Sequence, residues 1–256
     1  MIKAIFFDVD ATLLSHTTKS VPNSTRQALR QLREKGIKTV IATGRHMTEL
    51  DRLPVNDIPF DGYITLNGQL CLDGEKRLYS GCPICIEDTQ YLAAEFEKRE
   101  IPIMMVEQDG MYINLIDDAV RRAHEEISTP LPRIGRYSGK PLYQAIVYVR
   151  KEEQEVLTGR LKHCIETRWS DFGIDIISDT GGKVSGIREF LERNHIFREE
   201  TMAFGDGEND IQMLRFAGFG IAMGNSCDKV KQAADTVTAS VDDDGIALAL
   251  RKYGLL

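Results

Sequence analysis

The sequence predicts an α/β protein built on a parallel sheet, interrupted by an inserted α+β unit with an antiparallel sheet of its own. Three observations carry that expectation. Ile5-Phe6-Phe7 is a short apolar run that ends in two acids, as a strand buried on both faces does. That run, a helical stretch and a second buried run at residues 37–42 follow one another as a βαβ unit, whose strands should be parallel. Between about residues 81 and 180 the rhythm changes to helix, hairpin, helix, strand, helix, strand.

In the first strand Asp8 and Asp10 stand two apart. On an extended chain they point the same way, with Val9 turned back into packing. Ligands of open α/β sheets bind beyond the carboxyl ends of the strands, where both acids belong. Carboxylates about 4 Å apart repel by about 4 kcal/mol at an effective dielectric of about 20. A proton, a cation or separation in water must offset that; a solvated strand end is the plain alternative. Val21-Pro22-Asn23-Ser24-Thr25 then carries helix-start chemistry, Ala28, Leu29 and Leu32 fall at helical spacing, and Gly36 is a stop. The second strand ends in Thr43-Gly44-Arg45. A hydroxyl, a glycine that lets backbone N–H groups approach a ligand and a nearby helix start can hold a phosphate, or make an ordinary turn. Residues 62–66 form a third strand, Asn67-Gly68 a turn, residues 69–72 a hairpin arm, and Asp73-Gly74 another turn.

In the inserted block, residues 86–100 read as a helix ending before Pro102, and 101–107 and 111–115 as strands joined at Gln108-Asp109-Gly110. Residues 117–127 read as a helix, 130–141 as a basic loop, 142–149 as a strand, 151–166 as a helix, and 169–178 as one or two strands. Gly181-Gly182 marks the return. Lys183 opens a helix with Ile187, Phe190 and Leu191 on one face, and residues 201–204 form a strand ending in Gly205-Asp206-Gly207-Glu208-Asn209-Asp210. Ile211, Leu214, Phe216 and Ala217 make a helix face. A strand at 219–223, a helix at 228–233, a short strand at 235–238 and a helix at 246–253 complete the chain. Asp242-Asp243-Asp244-Gly245 could take a metal but reads as the acidic N-terminus of that last helix.

Composition excludes several classes. The 256 residues are 42% hydrophobic and 28% charged, as in ordinary soluble domains. A net charge of -7 argues against non-specific nucleic-acid binding, which needs a basic face. No apolar run is long enough for a bilayer and the N-terminus lacks a signal-peptide pattern, so no membrane partner and a cytoplasmic location are expected. Cys82-Pro83-Ile84-Cys85 has redox or zinc spacing, but no second pair or paired His accompanies it, and it reads as free thiols in a loop. His16, His46, His124, His163 and His195 show no ligand spacing.

Three strand ends thus carry chemistry: Asp8 with Asp10, Thr43, and Asp206 with Asp210. Lys183 comes from a helix start. If those strands are neighbours, four carboxylates share one crevice and need a cation. All-oxygen donors favour Mg2+ over zinc. A carboxylate nucleophile beside Mg2+, a lysine, a hydroxyl and free N–H groups suits a phosphoryl group, and a second Asp can serve as general acid and then base.

Asp8-Val9-Asp10-Ala11-Thr12-Leu13-Leu14, Ala42-Thr43-Gly44-Arg45, Lys183 and Gly205-Asp206-Gly207-Glu208-Asn209-Asp210 together resemble the four motifs of the haloacid dehalogenase (HAD) superfamily. The block between the second and third resembles the C2 (type IIB) cap of its Cof-type sugar-phosphatase branch, and the resemblance covers essentially the whole chain. It implies a Rossmann-like core from residues 1–80 and 181–256 and an inserted α+β cap domain at 81–180. It implies Asp8 as nucleophile and Asp10 as general acid and base. Mg2+ is then held by the Asp8 carboxylate, the Asp10 backbone carbonyl and Asp206, with Asp210 bracing the site or bridging through water. Thr43, the Gly44 N–H, Lys183 and Asn209 hold the phosphate, Arg45 reaches substrate or cap, and Asn67-Gly68 steers the hinge region. The family's usual glycine is Ala11 here, which implies an αR or β backbone or a mildly strained loop. The implied activity is Mg2+-dependent hydrolysis of phosphate monoesters of small metabolites, sugar phosphates foremost, through an aspartyl phosphate. A phosphomutase and a non-catalytic metabolite-binding protein are the alternatives. For the organic part of the substrate the inserted block offers Tyr112, Asn114, Arg121, Arg133, Arg136, Lys140 and Tyr143, the basic residues 133, 136 and 140 suiting a second anionic group.

Overall fold

Ala4 through Phe7 have no exposed surface on either face, and they form β1 (Ala4–Phe7), the strand around which the first sheet is laid. The computed structural model describes residues 1–126 and 129–256. The chain divides into two compact units, Met1–Ser80 with Lys183–Leu256, and Gly81–Gly182. The first unit continues with α1 (Asn23–Glu34), β2 (Lys38–Ala42), a short α2 (Met47–Leu50), β3 (Gly62–Thr65), β4 (Leu70–Asp73) and β5 (Leu78–Gly81). Ala28, Leu29 and Leu32 form the buried stripe of α1, and Gly36, at φ 73°, turns the chain out of it.

The second unit holds α3 (Ile86–Lys98), β6 (Ile103–Glu107), β7 (Gly110–Ile113), α4 (Asp118–Glu126), β8 (Gln144–Val147), α5 (Gln154–Thr158), β9 (Cys164–Arg168) and β10 (Ile174–Ser178). Its five-stranded sheet runs β7-β6-β8-β10-β9, antiparallel throughout. Leu92 and Phe96 of α3 pack on Ile103, Met105, Ala145, Val147, Ile174 and Ile176 from alternate strand positions.

One expectation for this unit needs correction. The helix expected at 151–166 is a 3-10 turn, Lys151–Glu153, followed by α5, and residues 164–168 are an edge strand paired along its length with β10. The buried Asp88 carboxylate accepts the backbone N–H groups of Lys162 and His163, the latter at 2.8 Å, and so draws the chain away from helix. The helix expected at 117–127 spans Asp118–Glu126; Ile127 lies outside the described residues.

The chain returns to the first unit with α6 (Lys183–Asn194), β11 (Thr201–Gly205), α7 (Ile211–Phe216), β12 (Phe219–Ala222), α8 (Asp228–Lys231), β13 (Thr236–Val237) and α9 (Gly245–Lys252). The first sheet has the order β13-β12-β11-β1-β2-β3-β4-β5. It is parallel from β13 to β3, and β4 returns antiparallel to β3. Strand order therefore grows one way from β1 to β3 and the other way from β11 to β13. The reversal lies between β1 and β11, the place where such sheets open a ligand crevice. Register is fixed by Phe7 opposite both Phe204 and Ile41, and the Phe7 and Phe204 rings stack at 5.3 Å. On one face Phe190 of α6 meets Phe6 edge-on, centroids 5.8 Å apart. Gly186 lets α6 lie against β3, because a Cβ there would stand 2.5 Å from Ile64.

Candidate active site

The register that pairs Phe7 with Phe204 brings the residues just beyond β1 and β11 to one edge. Asp8 is buried, and its N–H donates to the Phe204 carbonyl at 3.0 Å. Close packing of α6 on β3 delivers Lys183 to the same point. Its Nζ donates to Asp8 Oδ1 and Asp210 Oδ1, both at 2.6 Å, with 2% of the side chain exposed. Asp210, wholly buried, also holds its own loop: its Oδ2 accepts the N–H groups of Asp206 at 3.0 Å and Gly207 at 2.9 Å. Gly205 is required beneath it, since a Cβ would sit 2.6 Å from the Asp210 carboxylate. Carboxylate oxygens of Asp8, Asp206 and Asp210 lie within 4.8 Å of one another.

Three carboxylates thus face one ammonium, and the titration of Asp8 and Asp206 registers the imbalance. Burial pushes the Asp8 carboxyl well above its ordinary value; Lys183 opposes this, while Asp210, Asp206 and Asp10 add to it. Burial pushes Asp206 up to about 6, helped by the charge of Asp210 and opposed by a hydrogen bond from Thr12. Burial alone would lower Lys183, yet Asp210 and Asp8 outweigh it and keep the ammonium charged. A pocket that holds excess negative charge on hard oxygen donors fits a small divalent cation.

Asp10 lies apart from that cluster. Its carboxylate is gripped by Arg45, Nε at 2.6 Å and Nη2 at 2.8 Å, and meets His16 Nε2 at 3.1 Å. Burial would raise its pKa, but hydrogen bonds from His16 and Arg45 and the guanidinium charge hold the carboxyl well below the usual carboxylate range. The bond to Asp10 in turn raises the His16 pKa. Val9, between the two acids, is fully buried, as alternation requires.

Thr43 is buried at the end of β2, and its Oγ1 accepts the Arg45 N–H at 3.2 Å. Beside it Gly44 faces Asn67, whose side chain would stand 3.2 Å from a Cβ at that position. Asn67 itself receives a 3.2 Å bond from Asn209 Nδ2, and its N–H donates to the Thr43 carbonyl at 2.9 Å. Asn67, expected to steer the hinge region, thus lies against Gly44 and Asn209, contacts that sequence reasoning missed. Thr12 was also missed as a partner: its Oγ1 donates to Asp206 Oδ1 at 2.7 Å. So was His16. Neither Thr12 nor His16 carries a spacing signal: Thr12 meets Asp206 across 194 residues, and His16 meets Asp10 through the irregular fold of the loop between them. Ala11 is neither αR nor β: its φ of 53° is left-handed.

Elsewhere the acidic run before α9 is tied to hydroxyls, Asp242 to Ser15 at 2.5 Å and Thr17 at 3.0 Å, and Asp244 to Ser24. None of the five cysteines forms a disulfide, and among the described residues no cysteine joins a metal-ligand group. In the second unit Asn114 is buried and spent on backbone groups, and Tyr112 bonds Glu107 and the Ser138 N–H. Lys140 pairs with Asp109 at 3.1 Å and Tyr143 is buried, whereas Arg121, Arg133 and Arg136 are exposed. No helix among the described residues is long and apolar enough to cross a membrane.

The pattern of the haloacid dehalogenase-like hydrolases matches residues 5–250. YkrA of Bacillus subtilis (strain 168) is 31% identical over 99% of this chain and 98% of its own length. The phosphatase BT1666 of Bacteroides thetaiotaomicron superposes with a TM-score of 0.91 at 32% identity, covering 100% of this chain and 96% of that one. The subclass IIB sugar phosphatase BT4131 does so with a TM-score of 0.86 at 35% identity, covering 99% and 100%. Carboxylates gathered at the strand-order reversal of a parallel core, in a chain that carries an inserted antiparallel unit, agree with those relatives. The chain belongs to the haloacid dehalogenase-like hydrolases and is a phosphatase of that family, a phosphoric monoester hydrolase.

Proposed function

We propose that this phosphatase is Mg2+-dependent and hydrolyses phosphate monoesters of small metabolites, sugar phosphates foremost, through an aspartyl phosphate on Asp8. The observation that carries the proposal is the convergence of Asp8, Asp206 and Asp210 within 4.8 Å around Lys183. Asp8 and Asp206, with the Asp10 carbonyl and with Asp210 as brace, would hold the cation. When bound, it neutralises the carboxylates and draws charge from the phosphoryl oxygens. Lys183, Thr43, the Gly44 N–H and Asn209 hold the phosphoryl group, and Asn67 orients Asn209.

In the first half-reaction an Asp8 oxygen bonds to phosphorus as the ester P–O bond breaks, and Asp10 gives its proton to the leaving alkoxide. In the second, water attacks the same phosphorus and its proton goes to Asp10, releasing inorganic phosphate and restoring the Asp8 carboxylate. The ionised Asp10 held by Arg45 and His16 is the form that accepts the proton. Delivering one requires Arg45 to release it, and an arriving anionic substrate competes for the guanidinium. The likeness to the sugar phosphatase BT4131 supports the substrate class.

Inorganic phosphate release from a panel of phosphorylated metabolites tests this, in Mg2+ and in excess EDTA, with Asp8→Asn as control. Hexose or pentose phosphates should be cleaved only with Mg2+, and Asp8→Asn should lose activity by about 10³-fold or more. Turnover in EDTA, or an Asp8→Asn protein as active as the parent, would overturn the metal or the nucleophile respectively.

A further inference from the structure

Ala11 stands between Asp10 and Thr12 in a left-handed backbone, φ 53°, that a Cβ disfavours. Something must hold it there. On one side its N–H donates to the Leu14 carbonyl at 2.9 Å, closing the loop on itself. On the other, its carbonyl accepts a 3.0 Å hydrogen bond from Nδ2 of Asn225, 214 residues away. Asn225 follows the close turn after β12, where a Cβ on Gly224 would stand 2.8 Å from the backbone of residues 239 and 240. Its Oδ1 accepts the Val241 N–H at 3.0 Å. The two partners fix the amide orientation, since a carbonyl needs the NH2 and an N–H needs the oxygen. The next residue, Asp242, holds Ser15 and Thr17 of the same loop. The segment from Ala11 to Thr17 is thus pinned at both ends to two loops that Asn225 joins.

We propose that Asn225 is a positioning residue for the phosphoryl-transfer site, clamping Ala11 in the left-handed conformation that sets Asp10 and Thr12. The proposal rests on the roles given above to Asp10 and to Asp206, the partner of Thr12. Without the clamp, an alanine relaxes towards αR or β. The peptide planes on either side of it turn, and Thr12 Oγ1 leaves Asp206. A glycine at position 11 has no such preference and keeps the left-handed turn without the clamp. Asn225 is therefore needed because residue 11 is alanine. It is exposed, so its replacement leaves no cavity.

The test compares Asn225→Ala, Asn225→Asp, Ala11→Gly and the double variant Ala11→Gly/Asn225→Ala in the full chain. Two readouts serve: amide exchange of residues 11–15 by mass spectrometry, and kcat and KM on an aryl phosphate with Mg2+. Asn225→Ala should speed exchange about five- to tenfold and lower kcat by a similar factor with KM within about twofold, the loss of one hydrogen bond. Asn225→Asp keeps the acceptor for Val241 but not the donor for Ala11, and should exchange as fast as Asn225→Ala. The double variant should return to the values of Ala11→Gly alone. Unchanged exchange in Asn225→Ala, parent-like exchange in Asn225→Asp, or no recovery in the double variant would overturn the clamp. If the parent cleaves no phosphate ester, the functional reading fails instead, and exchange alone still decides whether Asn225 holds Ala11.

Discussion

Lys183 is the residue whose surroundings speak most directly of charge. Its ammonium lies 2.6 Å from two buried carboxylates, with Asp206 close behind. Replacing it by methionine keeps the stem and removes the charge. Breaking such a pair by deleting one partner costs about 3–5 kcal/mol, so Lys183→Met should have a lower urea midpoint in EDTA. Added Mg2+ should recover more stability in the variant than in the parent, because the cation then supplies the missing positive charge. Equal Mg2+ effects on the two midpoints would show that Lys183 and the cation do not share these acids. Sequence spacing named Lys183, Asp8, Asp206 and Asp210, since each stands at a strand end or helix start where polarity breaks an apolar run. Thr12, His16 and Asn67 were not legible in that way. Each owes its place to left-handed or irregular backbone at Ala11, Leu66 and Asn67, which no periodicity encodes.

At the scale of elements, the parallel strands were readable because burial on both faces leaves unbroken apolar runs. The edge strand β9 was not. Its Cys-Ile-Glu-Thr-Arg sequence continues the spacing of Val156 and Leu157, and only contacts distant in sequence, from Asp88 and β10, decide against helix. Asn114 is a similar case, a polar residue that reads as a candidate substrate contact and is instead a brace. Its Oδ1 accepts the N–H groups of Ile103 at 2.9 Å and Leu115 at 2.8 Å, and its Nδ2 donates to the carbonyls of Phe96 and Ile101. It ties the end of α3 to the start of β6. Asn114→Ala strands several buried backbone groups and should cost about 3 kcal/mol. Hydrogen exchange should rise across residues 96–115 and leave β1 and β11 protected. Protection of 96–115 at parental levels would mean that water replaces the side chain at no cost.

For the molecule as a whole, function and stability meet in the charge gathered at the reversal of strand order. Asp206 titrates at about 6 in the metal-free fold, against about 3.9 in an unfolded chain. Asp8 is shifted the same way. Between those values the folded protein binds more protons than the unfolded chain, so metal-free stability falls as pH rises from about 4 to about 6. For Asp206 the loss is on the order of 2 kcal/mol after discounting its partial exposure. A divalent cation needs the ionised carboxylates, and so opposes that loss only where they are ionised. At about 100 times its dissociation constant it adds about 2.7 kcal/mol. Thermal unfolding followed from pH 5 to pH 7.5 should therefore show a Mg2+-induced rise in Tm that is small at the acid end and grows through pH 6. Asp206→Asn, which cannot ionise, should flatten the dependence while raising the metal-free Tm at pH 7.5. A Mg2+ effect of the same size at both ends of the range would mean that the cation sits elsewhere, and that the carboxylates of residues 8, 206 and 210 are held together by the fold alone.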